Sequence, residues 1–239
     1  MKRLSNLLLS NIPKYEITIP STGKKTTYRP FLVKEEKVLL LAQETNSDSD
    51  MILAIKNIIE SCVDDIDDVG NMPLFDIEYV FLQIRSKSVG EIVEPTIICP
   101  STDENISVSV LINDIEITHD NNHKRTVPLS DDIVVTLKYP SLNIVNENNT
   151  SMDYTNPSTF YSIVADCIER VETEEESIDV STLSKEEVLE FVDNLTTKQF
   201  ENLIDFFITA PKVEHTVSYT ASDGVERQVL LSGLSDFFG

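Results

Sequence analysis

The chain has 239 residues, enough for one large domain or two small ones, and its 41% hydrophobic and 25% charged residues are ordinary for a soluble globular protein. The formal net charge is −22 and uneven: residues 1–37 carry eight Lys or Arg against three Asp or Glu, which leaves 11 basic and 38 acidic residues elsewhere. Such an acidic surface repels nucleic acid and anionic lipid, which argues against both as partners and favours a basic partner protein or a crowded assembly.

The N-terminal part predicts a β-hairpin followed by three helices. Tyr15, Ile17 and Ile19 alternate with polar residues, and the turn sequence PSTG separates them from a second short strand-like run, TTY. Apolar residues at helical spacing then begin near Lys34, after the acidic segment NSDSD, and after Pro73. The stretch STGKKT resembles the tail of a phosphate-binding loop, but it has one glycine and leads into a strand, so we interpret it as the hairpin turn.

The middle of the sequence predicts strands. Apolar residues at period two between Ile97 and Tyr139 predict a mainly antiparallel sheet. Residues 140–157 are rich in Asn, Ser and Pro, which predicts a loop or hinge.

Helices return in the last third. An apolar stripe from Phe160 to Val171 predicts a helix, and the acidic sequence ETEEESID after it predicts a linker. Two capping-box sequences, SKEE from Ser184 and TTKQ from Thr196, predict the starts of two further helices. Two strand-like runs around an SDG turn then predict a second hairpin.

The predicted fold class is therefore α+β. We expect an N-terminal hairpin and helical region at residues 1–88, an antiparallel β module at 89–140, and a C-terminal helical region closed by a β-hairpin at 141–239.

No residue set in the sequence matches a known catalytic or metal-binding pattern. His119 and His123 lie in a turn rich in Asp and Asn, which we interpret as solvated, and Cys99 has Thr102 where a zinc knuckle would have its second cysteine. The odd count of three cysteines argues against a disulfide framework and predicts a reducing, cytoplasmic compartment. No apolar run has the length of a signal sequence or a membrane span. We predict a protein without enzymatic activity, cofactor or metal.

Two features predict binding surfaces for a partner protein. The first is a basic, partly apolar patch at the junction between the hairpin and the first helix, formed by Arg29, Phe31, Lys34 and Lys37; its alternative is a hairpin docked on its own helix with solvated charges. The second is the pair Phe237 and Phe238, which either pins the tail to the core or inserts into a partner.

Three collinear sequences then resemble the baseplate hub assembly proteins of T4-like contractile-tailed bacteriophages. They are KYEITIPSTGKKTTYRPFLVKEEKVLLLA, FLQIRSKSVGEIVEPTIIC and IVVTLKYPS, and the resemblance covers roughly residues 14–140. The positions that carry it belong to three motifs: Arg29, Pro30, Phe31, Lys34, Glu35, Glu36 and Lys37; Ser88, Val89, Gly90 and Glu91; and Lys138, Tyr139 and Pro140.

The resemblance implies a tail-assembly protein made in the cytoplasm of the infected cell, whose partners are other baseplate hub proteins. It implies no catalytic residue. Two hypotheses remain open: an assembly factor of chaperone type that binds hub subunits, or a hub subunit that stays in the virion baseplate. An enzyme with an unrecognised site is a remote third hypothesis. The oligomeric state stays undetermined at this point.

Overall fold

A computed structural model describes residues 11–45, 47–147 and 157–238. It is an α+β protein with antiparallel sheets and an N-terminal β-hairpin, which confirms the predicted fold class. The contacts divide the described residues into two compact units. One takes in the chain up to Val69, Phe75–Thr118 and the chain from Lys212, and the other takes in Gly70–Leu74 and His119–Pro211. The division of the chain into the regions 1–88, 89–140 and 141–239 stays a prediction.

The first unit contains helices and short strands from both ends of the chain. Its helices are α1 (Val33–Thr45), α2 (Asp48–Cys62), α3 (Leu74–Ser88) and α8 (Gly233–Phe238). Its strands are β1 (Tyr15–Thr18), β2 (Lys25–Tyr28), β3 (Ile92–Val93), β4 (Thr96–Ile98), β5 (Asn105–Ser107), β6 (Val110–Leu111), β7 (Glu116–Thr118), β12 (Lys212–Thr220) and β13 (Glu226–Ser232).

The STGKKT sequence forms the turn between β1 and β2, as predicted. The Ile19 N–H donates to the Lys24 carbonyl at 2.8 Å, and Gly23 has a φ of +68°, a left-handed conformation that favours glycine. The Lys24 ammonium donates to the Asp65 carbonyl at 2.7 Å and lies 3.1 Å from an Asp67 carboxylate oxygen. This lysine is therefore engaged by the protein's own oxygens.

Helix α3 is the most enclosed helix of this unit within the described residues. Eight of its 15 residues are buried, in agreement with the apolar character of its sequence on nearly all sides. Its buried Asp76 accepts hydrogen bonds from the N–H and the hydroxyl of Ser21, which attaches the β1–β2 turn to the first turn of the helix. Burial raises the pKa of Asp76, and the two Ser21 donors oppose that rise.

The strands predicted for the middle of the chain are antiparallel but lie in several sheets. β3 pairs with β6, and β4 pairs with β5. β7 pairs with the start of β12, where Val213 lies opposite Ile117, and β12 pairs with β13 in seven consecutive residue pairs. The first unit therefore contains a three-stranded sheet in the order β13-β12-β7.

The second unit combines a four-stranded sheet with helices. Its sheet has the order β11-β10-β9-β8. Its elements are β8 (Thr126–Pro128), β9 (Val134–Leu137), α4 (Leu142–Glu147), α5 (Pro157–Cys167), β10 (Ile168–Glu172), β11 (Ser177–Asp179), α6 (Lys185–Asp193) and α7 (Thr197–Thr209). Its core joins side chains of the sheet and of α5, α6 and α7, among them Leu137, Ile163, Val192 and Leu203. Part of the predicted 140–157 loop is thus the short helix α4, and residues 148–156 lie outside the described residues.

Two predictions for this unit were wrong and two are confirmed. Helix α5 ends at Cys167, and Val171 lies in β10, opposite Val135 of β9 and Ile178 of β11. The acidic segment is thus part of a β-hairpin. The apolar stripe fits a helix or a strand locally, and the pairing with β9 decides between them. Both capping boxes form, at Ser184 and at Thr196.

Candidate partner-binding surface

Arg29 links the end of the first hairpin to helices α1 and α2. Its guanidinium lies 2.9 Å from a carboxylate oxygen of Glu35 and donates to the Ser61 carbonyl at 2.9 Å. The second carboxylate oxygen of Glu35 accepts the Leu32 N–H at 2.8 Å. The side chains of Arg29 and Glu35 are only 16% and 7% exposed, so this is an interior ion pair with a structural role.

The charge state of this network follows from its contacts. Burial alone would raise the pKa of Glu35, but hydrogen bonds from Arg29, Lys34 and the Leu32 N–H outweigh burial and lower it. Glu35 is therefore ionised at neutral pH and balances Arg29. Burial raises the pKa of the nearby Cys62 thiol to about 11, which keeps this cysteine protonated and unreactive.

Phe31 also lies in the interior. It is 8% exposed, and its N–H donates to the Ser88 hydroxyl at 2.9 Å. Arg29 and Phe31 thus hold the hairpin against its own helices, while Lys34 is 70% exposed and Lys37 is exposed. Of the four residues of the predicted patch, the two lysines are the ones that a partner can reach in this conformation.

The two lysines share one face of α1 with exposed apolar side chains. Lys34, Lys37, Val38 and Leu41 follow the spacing of three and four residues that places side chains next to one another on a helix. Val38 is 43% exposed and Leu41 is 62% exposed. A basic and apolar strip therefore runs along α1 in contact with solvent.

A shallow recess lies beside this strip, between α1 and α2. It has a volume of about 190 Å³ and is lined by Lys34, Glu35, Val38, Asn57, Ile58 and Ser61. On α2, Leu53 lies one helical turn before Asn57 on the same face and is 54% exposed. We call Lys34, Lys37, Val38, Leu41 and Leu53, with the recess that they flank, the α1–α2 surface.

The chemistry of the α1–α2 surface fits a protein partner better than a small molecule. Pockets for small molecules measure about 300–1,000 Å³ and enclose their ligand, whereas this recess is open and smaller. Lys34 lies 3.0 Å from Glu35, whose charge Arg29 also shares, and Lys37 makes no ion pair with any described residue. The surface is thus locally basic on a strongly acidic chain, with apolar side chains that water solvates poorly.

The sequence contains one further signal for this surface. Helix α1 carries five large apolar residues within nine positions, Val33 and then Val38 to Leu41, which is more than one buried face of a helix accommodates. The structure buries only Glu35 and Ala42 of this helix.

The second predicted binding feature lies inside the protein where the structure describes it. Phe237 is 1% exposed, which matches the alternative in which the tail is pinned to the core. The side chain of Phe238 lies outside the described residues. The short helix that carries Phe237 is also attached through the Leu234 N–H, which donates to Glu78 of α3.

The prediction that His123 lies in a solvated turn was wrong. One ring nitrogen is 2.9 Å from the Thr209 hydroxyl and the other is 3.0 Å from the Tyr139 hydroxyl. The ring also packs against Phe206, with 5.1 Å between ring centroids. Burial and the nearby His119 lower the pKa of His123, so the ring is neutral at pH 7 and fills a structural position. The polar neighbouring sequence concealed the packing against a helix more than 80 residues away.

Neither a metal centre nor a membrane helix is present in the described part of the chain. Within residues 11–45, 47–147 and 157–238, no group of three His, Cys, Asp or Glu side chains is placed to hold a metal ion. The three cysteines are free and buried. No described helix combines the length and the apolar character needed to cross a membrane.

The comparison with protein families identifies the family of the chain. The family described as "T4 bacteriophage base plate protein" matches residues 12–239, nearly the whole sequence. Comparisons with curated proteins and with solved structures found no match. Because the family match spans both compact units, the chain belongs to the T4 bacteriophage base plate protein family.

Proposed function

We propose that this baseplate protein is a non-catalytic assembly factor, which binds subunits of the central hub through the α1–α2 surface while the tail is built in the cytoplasm of the infected cell. The proposal has three parts: the hub subunits as partners, the role of assembly factor, and the use of this surface for binding. Membership of a baseplate protein family supports the setting. The single observation that supports binding through the α1–α2 surface is the exposed apolar strip next to two accessible lysines.

The α1–α2 surface has the composition of a protein-binding site. Exposed apolar side chains grouped on one face are uncommon on a protein that works alone, and they commonly mark interfaces. Val38, Leu41 and Leu53 are each 43–62% exposed. A partner's apolar side chain could enter the recess, and its carboxylates could meet Lys34 and Lys37 at the rim, where charges mainly set orientation and association rate.

A binding role also agrees with the state of the titratable groups. Two side chains of types that are common in catalytic sites, His123 and Cys62, are neutral at pH 7 and enclosed by packing or hydrogen bonds. The acidic remainder of the chain keeps such a factor soluble while it waits for partners.

The experiment that tests the proposal is co-purification of the full chain with individually co-expressed hub subunits of the same phage. The double variant Val38→Asp with Leu41→Asp places two charges in the apolar strip and should reduce capture of the bound hub subunit by at least about tenfold, since burial of an unpaired charge costs several kcal/mol. Because both residues are exposed, the stability of the chain should change by less than about 1 kcal/mol.

Helix α1 offers a matched control. Val33 and Leu40 are 66% and 53% exposed, and they border the surface only at Lys37, since neither lies three or four residues from the α1 residues that line the recess. Val33→Asp with Leu40→Asp adds the same charge to the same helix and should leave capture unchanged. Equal capture by both double variants, or equal loss, would contradict the use of the α1–α2 surface.

The alternative of a hub subunit retained in the virion is separated by a different measurement. Quantitative mass spectrometry of purified particles should find the chain far below the level of the hub subunits if it is an assembly factor. Stoichiometric presence in the particle would instead favour the structural role.

A further inference from the structure

Strand β13 forms an open edge of the three-stranded sheet β13-β12-β7. It runs for seven residues, Glu226–Ser232, and among the described residues it pairs with β12 on one side only. The other strands that form sheet edges in the described part of the chain have two to four residues. This edge is therefore the longest in the described structure.

Edge strands expose backbone donors and acceptors, and proteins commonly protect them with lysine, proline, a bulge or short length. The sequence of β13, ERQVLLS, has neither lysine nor proline. Its pairing with β12 proceeds from Glu214 opposite Ser232 to Thr220 opposite Glu226 without a shift of register. By contrast, the edge strand β8 is short, with three residues, and contains Pro128. The edge of β13 lacks these protections.

The pairing also identifies which backbone groups face outward. The Ala221 N–H donates to the Val225 carbonyl at the start of the ladder. In an antiparallel pair, hydrogen-bonded and non-hydrogen-bonded positions alternate, so the backbone groups of Glu226, Gln228 and Leu230 point away from β12. Their side chains are exposed as well, and Leu230 is 53% exposed.

We propose that the edge of β13 binds an extended segment of another polypeptide by β-strand addition, and that this segment is basic with alternating apolar residues. Main-chain hydrogen bonds to Glu226, Gln228 and Leu230 provide the pairing, and side chains provide the selectivity. This site is independent of the α1–α2 surface and would let one chain contact two partners.

The charges around the edge favour a basic strand over a second copy of this chain. Glu226 lies at one end of β13, and Asp236 lies just beyond the other end. Arg227 is engaged by both carboxylate oxygens of Asp223, at 2.9 and 2.6 Å. A second copy would bring the same acidic ends together and would carry a further net charge of −22, whereas lysines opposite Glu226 and Asp236 would be attracted.

The test uses the full chain and two synthetic peptides of about nine residues, a length that spans the edge of β13. The basic peptide, TKVTVKVTK, alternates strand-forming residues with lysine, and its acidic counterpart has Glu in place of each Lys. Amide hydrogen exchange is followed by NMR. With the basic peptide, exchange at Gln228 and Leu230 should slow by at least about tenfold, while the acidic peptide should have no effect.

A matched pair of variants checks that the edge of β13 is responsible for the slowing of amide exchange. Leu230→Lys protects the edge with a charge and should abolish the slowing of exchange. Thr216, which lies opposite Leu230 on the neighbouring strand β12 and is also exposed, provides the control Thr216→Lys, which leaves β13 itself unchanged and should bind like the wild type. The proposal is overturned if neither peptide slows exchange, if both do so equally, or if the chain alone protects these amides as its own concentration rises.

Discussion

The carboxyl group of Glu78 allows a quantitative test of how the C-terminal helix is attached to α3. Glu78 lies on α3, and its carboxyl group accepts the Leu234 N–H at the start of α8. One of its oxygens would lie 3.0 Å from a β-carbon placed on Gly233, so the helix and the carboxyl group are in close contact. Burial raises the pKa of Glu78 from its ordinary value of 4.5 to about 7.

The direction of the pH dependence follows from this rise. The folded state holds the Glu78 proton more tightly than the unfolded state does, so the stabilising contribution is full below pH 4.5 and is lost as the pH rises through about 7. At about 1.36 kcal/mol per pH unit, the difference between 4.5 and about 7 corresponds to about 3 kcal/mol. Because the residue is only half-buried, partial access of water reduces the expected effect to about 2 kcal/mol.

Glu78→Gln tests this value, because the amide resembles the protonated carboxyl group and does not titrate. Its free energy of unfolding in urea should equal that of the wild type near pH 4.5 and exceed it by about 2 kcal/mol near pH 8. The control is Glu44→Gln on the exposed part of α1, which should show no such growing difference. A constant difference between Glu78→Gln and the wild type across this range would refute the burial of the carboxyl group.

Two further predictions concern residues that the structure places in the interior. Phe237→Ala should lower the free energy of unfolding by about 3–5 kcal/mol, measured in urea, since it removes a ring that is 1% exposed; a change below about 1 kcal/mol would show that α8 is not docked. Arg29→Ala should lower the free energy of unfolding by about 3–5 kcal/mol, because it leaves the Glu35 carboxylate buried with fewer partners. In a double-mutant cycle, adding Glu35→Gln should recover part of that loss. Strictly additive effects of the two substitutions would contradict the ion pair.

Local sequence signals predicted much of the fold because they act over a few residues. The capping boxes at Ser184 and Thr196, the turn at Gly23 and the helix after Pro73 all depend on neighbours within one or two helical turns or within one hairpin. What the sequence did not reveal depends on distant partners. Val171 is a strand residue because β9 and β11 lie on either side of it.

The candidate site likewise has features that the sequence predicted and features that only the tertiary structure shows. The sequence located Lys34 and Lys37 as accessible cations, but charge alone did not separate them from Arg29, which is buried because Glu35 and the Ser61 carbonyl receive it. The apolar strip went unrecognised because Leu41 fits a helical core pattern equally well, and only the tertiary structure leaves it 62% exposed.

Zero-length cross-linking of the wild-type chain to the proposed hub partner tests whether the α1–α2 surface forms the contact. A carbodiimide joins lysines only to carboxylates in contact with them, so we expect cross-links from Lys34 and Lys37 to acidic residues of the proposed hub partner. A stable complex in which the exposed Lys124 and Lys198 react with the subunit and neither α1 lysine does would contradict this expectation.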